Sequence, residues 1–219
     1  MFKIYFHNLP VKATRLIKHL SLPFLKQGQK NNYPSQGIFE WCSDLFFYII
    51  DVFGIPEIYE FILGLIKLNT RSLSAEEIKL AKSVFHDSLN YDVIKIDDGA
   101  RFGTIKIALA YVSFNTINYY KKIRKEILIH ELMHVWQYQK YGAIYIPRAI
   151  KAQRSKEGYD YGGVPNLYKT MLTKGRLSEF NMEQQADIIE DFYKIQNETQ
   201  PESLLNKNIY AYFASQILE

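Results

Sequence analysis

Cysteine is almost absent from this sequence. Cys42 is the single cysteine among 219 residues, so no disulfide can form within the chain. The fold therefore needs no oxidising compartment, and a zinc site built from several cysteine thiolates is excluded.

Long uncharged segments are missing as well. The most apolar stretch, residues 38–68, is interrupted by five carboxylates, so no run approaches the ~20 residues that span a bilayer: Glu40, Asp44, Asp51, Glu57 and Glu60. The spacing of the first three acids and the break at Gly54-Ile55-Pro56 predict two helices with narrow polar stripes, mostly buried. We therefore expect a helical core layer here and no membrane partner; a membrane-acting protein that uses residues 38–68 is the weaker alternative.

A strong charge imbalance is also missing. The formal net charge is +4, which is too small to indicate a nucleic-acid partner, and we expect none. With 47% hydrophobic and 23% charged residues, the composition is typical of a globular protein. The first twenty residues lack an unbroken apolar core followed by a small-residue cleavage site, so no cleavable signal peptide is predicted. We expect the chain to stay in the cytoplasm of the producing cell unless a specialised secretion system exports it.

Local patterns give a coarse order of elements. Residues 1–25 predict a strand and then a short amphipathic helix, and the polar residues 26–37 predict a loop. Ser74 to Glu77 fits a capping box that starts a helix. Residues 93–96 and 104–112, rich in β-branched side chains, predict an antiparallel pair around a turn at 97–99. Within 105–120 we expect an edge strand that could hold an extended peptide.

A long, irregular section is predicted from Gly142 to Leu177. Loops of this length are usually functional, and a tyrosine in one could stabilise an oxyanion. The sequence leaves the choice among four open: Tyr145, Tyr159, Tyr161 and Tyr168.

The chemistry-bearing stretch lies between Glu126 and Gly142. It contains His130-Glu131-Leu132-Met133-His134, and its apolar residues recur at helical spacing with Gly142 as a stop. Residues four apart share one helical face, so both imidazoles can converge on one metal ion while Glu131 reaches the same place. Imidazole is a favoured zinc ligand, and the carboxylate can act as a general base toward water.

A second helix is predicted near Ser178 to Gln196, with Asn181 or Ser178 as its cap. Glu183 and Asp187 lie four apart on it, so Glu183 can supply a third metal ligand while Asp187 hydrogen bonds the far nitrogen of a ligating histidine. Glu179 is the rival ligand one turn earlier. Glu190 and Asp191 are expected to be solvated.

The two motifs together resemble a known family. His130-Glu131-x-x-His134 followed by Glu183-x-x-Ala186-Asp187 looks like a gluzincin-type zincin metallopeptidase. The strings SFNTINYY, HELMHVWQYQKYG and FNMEQQADIIEDFY resemble small bacterial zincin-like proteins associated with Rhs/Vgr elements and type VI secretion. This similarity covers roughly residues 75–197. Gln137 and Lys140 stand where a metzincin has glycine and a third histidine, which argues against that class.

The resemblance implies an α+β, zincin-like fold, mainly helical, with a small antiparallel or mixed sheet packed on the HExxH helix. Residues 1–70 would form a helical extension and 71–219 the zincin-like domain. The implied function is a Zn²⁺-dependent peptidase, with Glu131 as general base and His130, His134 and Glu183 as ligands. It would act on a protein or peptide as a secreted antibacterial or host-directed toxin, with an immunity or secretion-apparatus protein as partner. A non-catalytic zincin-like scaffold or secretion adaptor is the alternative.

Overall fold

A computed structural model describes residues 2–24, 37–67, 69–101, 109–196 and 203–219 of the chain. Within these ranges the helices are α1 Phe2–Ser21, α2 Ile38–Val52, α3 Ile55–Ile66, α4 Ala75–Phe85, α5 Lys125–Tyr141, α6 Tyr145–Arg154, α7 Gly163–Leu172, α8 Met182–Gln196 and α9 Ser203–Ala214. The strands are β1 Thr70–Ser72, β2 Lys95–Asp97, β3 Ala110–Ser113 and β4 Thr116–Tyr119. The predicted α+β class, mainly helical with a small sheet, is confirmed.

The strands form one mixed sheet in the order β1-β2-β4-β3. β2 runs parallel to β4 and antiparallel to β1, whereas β3 and β4 form an antiparallel hairpin. The predicted pairing of residues 93–96 with 104–112 is therefore wrong for the described part, because β2 lies between β1 and β4. Residues 102–108 lie outside the described ranges. Among the described strands, β3 is at an edge of the sheet, and it lies next to α5.

The central helix of the core is α5, which packs against β3, β4, α4 and α8. Every residue from Leu128 to Tyr138 on this helix is buried. The apolar core around it contains large side chains from the sheet, α4, α5, α8 and α9: Phe85, Ile96, Ile117, Ile129, Leu132, Met133, Ile189 and Phe213. The His130-Glu131-x-x-His134 motif therefore lies on a buried helix.

Two predicted helix boundaries agree with the structure. Ser74 makes the capping box with Glu77 and starts α4. Gly142 ends α5 with a φ of 79°, a left-handed value that favours glycine. A Cβ at Gly142 would lie 2.2 Å from Asp51 Oδ2, so α2 approaches the end of α5 as closely as glycine permits.

The predictions for residues 1–25 and 38–68 agree with the structure only in part. The strand expected within residues 1–25 is wrong, because α1 is helical from Phe2 to Ser21. The two helices expected in residues 38–68 are confirmed as α2 and α3, separated at Gly54 with a φ of 72°. Their predicted burial is wrong: both carry exposed apolar side chains along their length. None of the helices in the described ranges is long and apolar enough to cross a membrane.

Buried ion pairs join the N-terminal helices to the rest of the chain. Lys12 of α1 pairs with Asp51 of α2 and Glu57 of α3, and all three side chains are largely buried. Arg15 donates to the carbonyl of Gln139 at 2.8 Å, in the last turn of α5 where a cation complements the helix dipole. The division predicted at residue 70 stays a prediction.

The section from 143 to 177 is more regular than predicted. It forms α6 and α7 with a short connection at residues 155–162. The expectation of one long irregular loop is therefore wrong, and the wall beside α5 is helical. The predicted loop at 26–37 lies almost wholly outside the described residues.

Candidate metal centre

Two histidines of α5 face the same space. His130 and His134 lie one helical turn apart, both are buried, and their ring centroids are 4.9 Å apart. The local sequence is helical because apolar residues occupy the other faces of α5 and bury against the sheet and α8.

Helix α8 brings Glu183 to these histidines. Asn181 starts the helix, as predicted, since its Oδ1 accepts the backbone N–H groups of Glu183 and Gln184 at 3.0 and 2.9 Å. Ala186 is fully buried where α8 packs on α5, and its small side chain permits a close approach. The rival Glu179 is exposed and accepts the backbone N–H of Arg176, so the structure keeps it away from the histidines.

The three donor atoms have the spacing of a metal site. Glu183 Oε2 lies 3.6 Å from His130 Nε2 and 3.3 Å from His134 Nε2, and all three atoms lie within 4.8 Å of one another. A tetrahedral zinc ion with ligands at about 2.1 Å separates neighbouring ligand atoms by about 3.4 Å. These residues therefore fit a zinc ion in both donor type and spacing.

The other nitrogen of His130 faces two more carboxylates of α8. Nδ1 lies 3.1 Å from Asp187 Oδ1 and 3.2 Å from Glu190 Oε2, although the ring N–H is aligned on neither oxygen. Asp187 is therefore where the sequence predicted it, beside the far nitrogen of a histidine. Glu190 is buried, so its prediction as a solvated residue is wrong. Its position seven residues after Glu183, on the same helical face, is the signal that could have found it.

His134 is oriented by an amide instead of a carboxylate. Its Nδ1 lies 2.8 Å from Gln137 Oε1, which fixes the ring tautomer if Nδ1 carries the proton and leaves Nε2 free toward Glu183. Gln137 is fully buried and donates through Nε2 to the carbonyl of Met182 and to Gln185 Oε1. The sequence argument considered Gln137 only as a departure from the metzincin pattern and missed this contact.

The charges of the site follow from burial and from these contacts. Burial alone would raise the pKa of Glu183, but its hydrogen bonds with His130 and His134 outweigh burial and hold that pKa well below its usual range. Burial opposes protonation of His130, yet contacts with Asp187, Glu183 and Glu190 raise its pKa well above 6.5.

Glu131 is a second buried acid in the centre. Burial raises its pKa, and its Oε2 is buried with no hydrogen-bond partner. A buried acceptor without a partner costs free energy, so this atom calls for a donor such as a water molecule or a substrate group. That requirement fits a carboxylate whose role is to receive a proton.

The structure gives different positions to three of the four tyrosines among which the sequence could not choose. Tyr159 lies beside the centre: its ring is 6.2 Å from that of His130, and burial together with the nearby carboxylates of Glu183, Glu131 and Asp187 raises its pKa. Tyr145 is buried against His134 and donates to the carbonyl of Val112 in β3. Tyr161 bonds to Asp191 and Tyr210, away from the three donor atoms.

The remaining oxygen of Glu183 is held from α6. Gln153 Nε2 donates to Glu183 Oε1 at 2.9 Å, which leaves Oε2 for the two histidines. A buried glutamate held in this way has little freedom to rotate. The sequence offered no signal for Gln153, because α6 was not predicted.

Comparison with known proteins gives a limited relationship. The chain is 30% identical over 146 residues to the type VI secretion system spike protein VgrG2b of Pseudomonas aeruginosa PAO1. The match covers 58% of this chain but spans only 13% of the length of that relative. No protein-family model matches the chain, and no solved structure matches it significantly. The chain is thus similar over part of its length to a protein of a type VI secretion system.

Proposed function

We propose that this chain is a zinc-dependent peptidase. The observation that carries the proposal is the meeting of His130 Nε2, His134 Nε2 and Glu183 Oε2 within 4.8 Å, from two helices far apart in sequence. Two imidazoles and one carboxylate are the donor set of catalytic zinc sites that keep one position open. The buried Glu131 beside them is the group that such chemistry needs in addition.

Zinc bound to these three residues would polarise a scissile carbonyl and make a water molecule more acidic. Glu131 would take the proton of that water through its unpartnered Oε2 and pass it to the leaving amine. Because burial raises the pKa of Glu131, its carboxylate is a stronger base than an exposed glutamate. Asp187 and Gln137 would hold the two imidazoles in the required tautomers.

Substrate would bind beside these groups. β3 is the edge strand and lies next to α5, so an extended peptide could add to it by backbone hydrogen bonds. Tyr159, partly exposed beside Glu183, is the tyrosine that we assign to the oxyanion. These assignments agree with an amide bond as the group that is hydrolysed.

Three single-residue variants distinguish loss of metal binding from loss of peptidase activity. Glu131→Gln should retain stoichiometric zinc and lose peptidase activity, since Glu131 takes a proton but does not bind the metal. His134→Ala should lose both. Glu179→Gln, the same chemical change on an exposed glutamate near the start of α8, should alter neither. Full activity in Glu131→Gln, or full zinc content in His134→Ala, would contradict the assignment.

The partial similarity to a type VI spike protein supports a role linked to that secretion system. We propose that the chain is exported as an antibacterial or host-directed effector, with an immunity protein in the producing cell. Expression of the chain in the cytoplasm or in the periplasm of a recipient bacterium, followed by measurement of growth, tests this proposal. Absence of toxicity for the wild type in both compartments would argue against it.

The alternative is a non-catalytic zincin-like scaffold or secretion adaptor. The observation that favours it is the same similarity, because the matched relative is described as a spike component. A peptidase assay of the zinc-loaded chain, with and without a chelator, distinguishes the two. Chelator-sensitive cleavage supports the enzyme, whereas zinc content without cleavage of any protein or cell-wall peptide supports the scaffold.

A further inference from the structure

The outer surface of α2 and α3 is unusual in having no charge. Among residues 37–66, every exposed position is apolar, a glycine, a cysteine or a tyrosine: Gly37, Ile38, Phe39, Cys42, Phe46, Ile49, Phe53, Ile55, Ile58, Tyr59, Phe61, Ile62, Gly64, Leu65 and Ile66. We call this set the apolar face. A helix on the surface of a globular protein normally presents charged and polar residues to water, so the face needs an explanation.

Helical spacing makes the face continuous. On α2 the exposed residues Phe39, Cys42, Phe46 and Ile49 follow one another at intervals of three and four. α3 repeats the pattern from Ile55 through Ile58 and Ile62 to Leu65. Each helix therefore turns one apolar stripe outward, and the hairpin at Gly54 places the two stripes in one part of the molecule.

The five acids of this segment lie off the apolar face; four are largely buried, whereas Glu40 is half-buried. Glu40 pairs with Lys151 and Asp44 with Arg148, both cations on α6. Asp51 and Glu57 share the buried Lys12 of α1.

Glu60 completes the set. Its two carboxylate oxygens accept the backbone and side-chain N–H groups of Asn115, at 2.7 and 3.3 Å. Each carboxylate of α2 and α3 therefore has a partner within the protein, and Glu40 alone keeps substantial contact with water.

The face differs from an ordinary protein–protein interface. Such interfaces are only about 57% apolar and carry roughly one hydrogen bond per 100–200 Å². In the apolar face the only side chains that can hydrogen bond are Tyr59 and Cys42. A surface of isoleucine, phenylalanine and leucine with almost no hydrogen-bonding group matches the acyl region of a lipid bilayer better than it matches a protein partner.

The charge of the neighbouring sequence favours anionic lipid. Residues 1–39 contain no acid and six basic residues: Lys3, Lys12, Arg15, Lys18, Lys26 and Lys30. Lys12 and Arg15 serve the inner ion pairs, whereas Lys18 is exposed on α1 between the exposed apolar residues Ile17 and Leu20. α1 packs directly on α2. Among the described residues, Lys18 thus places a positive charge beside an apolar helical surface, as is typical of helices that lie in a membrane interface.

We propose that the apolar face of α2 and α3 inserts into the headgroup–acyl boundary of an anionic bilayer, with both helices lying in the plane of the membrane. At 1.5 Å per residue the two helices are about 22 and 18 Å long, which suits an in-plane orientation. In the sequence, the five acids of residues 38–68 stand against membrane association. The structure removes that barrier, because it directs the acids away from the face.

Membrane attachment would also orient the metal centre. Asp44 and Glu40 bind α6 through Arg148 and Lys151, and α6 carries Gln153, which holds Glu183. The hairpin and the centre are thus connected through one helix. A peptide substrate would be met close to a membrane surface.

Co-sedimentation of the purified chain with vesicles tests the proposal. We expect binding to mixed phosphatidylcholine–phosphatidylglycerol vesicles, weaker binding to phosphatidylcholine alone, and a further decrease at high salt. Phe46→Glu on α2 and Ile62→Glu on α3 should each weaken partitioning by about tenfold or more. Leu172→Glu is the matched control, since Leu172 is 64% exposed on α7 and lies outside the face.

Circular dichroism checks that each variant is folded. Because the two substitutions lie on separate helices, one variant still tests the proposal if the other fails to fold. Failure of the wild type to bind any vesicle would overturn the proposal. Equal binding by Phe46→Glu, Ile62→Glu and the wild type would also overturn it. A stable dimer in light scattering, dispersed by the same two variants and accompanied by no vesicle binding, would assign the face to a second copy of the chain instead.

Discussion

Replacing Gln137 by methionine should weaken zinc binding with little change in the shape of the core. Methionine has nearly the same length and volume but lacks the amide oxygen Oε1, which accepts a hydrogen bond from His134 Nδ1–H at 2.8 Å. The imidazole would then lose the contact that fixes its orientation and tautomer. Loss of such a partner typically lowers metal affinity ten- to a hundredfold, or about 1.4–2.8 kcal/mol.

The control is Gln185→Met on the facing helix. Gln185 is also buried, accepts a hydrogen bond from Gln137 and donates to the carbonyl of Phe180, but it does not contact a histidine. Both variants remove a buried amide, so both should destabilise the fold by a similar amount, about 1–3 kcal/mol.

Chelator competition at equilibrium measures zinc affinity, and denaturant titration measures stability, for the two variants and the wild type. We expect Gln137→Met alone to lose affinity, and Gln137→Glu, which keeps an acceptor for His134, to recover it. Unchanged affinity in Gln137→Met, or an equal loss in Gln185→Met, would refute the role given to Gln137.

Three further outcomes follow from individual residues. Tyr159→Phe should lower kcat by about a hundredfold while zinc affinity is unchanged, and a kinetic assay that finds the wild-type kcat would reject the oxyanion role. Burial raises the pKa of Glu60 to about 7. Between about pH 4.5 and 7 the folded chain therefore keeps a proton that the unfolded chain has released. The free energy of unfolding falls as pH rises through this range, by up to about 3 kcal/mol. Glu60→Gln should remove this fall in denaturant titrations at about pH 5 and pH 8, and an identical pH dependence in both proteins would contradict the assignment. Gly142→Ala should destabilise the chain by about 2 kcal/mol, because its φ is 79° and the new Cβ would meet Asp51; Gly64→Ala, with nothing within 4 Å, should be neutral or stabilising in the same titration.

The helices of the metal centre could be predicted because their signals are local. Spacing of four residues gives His130 and His134 a common face, and the same rule groups Glu183 with Asp187. Local spacing does not show how many turns of α8 are buried against α5, and for that reason Glu190 was expected in solvent. Gln153 lies on a helix that the sequence argument did not predict, and only the packed structure brings it to Glu183.

The two larger errors have a different cause. Periodicity separates the apolar from the acidic stripe of α2 and α3, but it does not state which stripe faces water. Their acids turn inward because cations from α1 and α6 meet them there, and these cations lie far away in sequence. The strand pairing failed for a similar reason: the parallel neighbour of β2 is β4, and a long-range register is not encoded by local alternation.

The central claim is that side chains from α5 and α8 bind one zinc ion. Anomalous diffraction from crystals of the chain, recorded on both sides of the zinc absorption edge, tests it most directly. We predict a single strong peak about 2.0–2.2 Å from His130 Nε2, His134 Nε2 and a carboxylate oxygen of Glu183. A zinc-loaded crystal with no peak between these three atoms, or with its peak on other residues, would contradict the account.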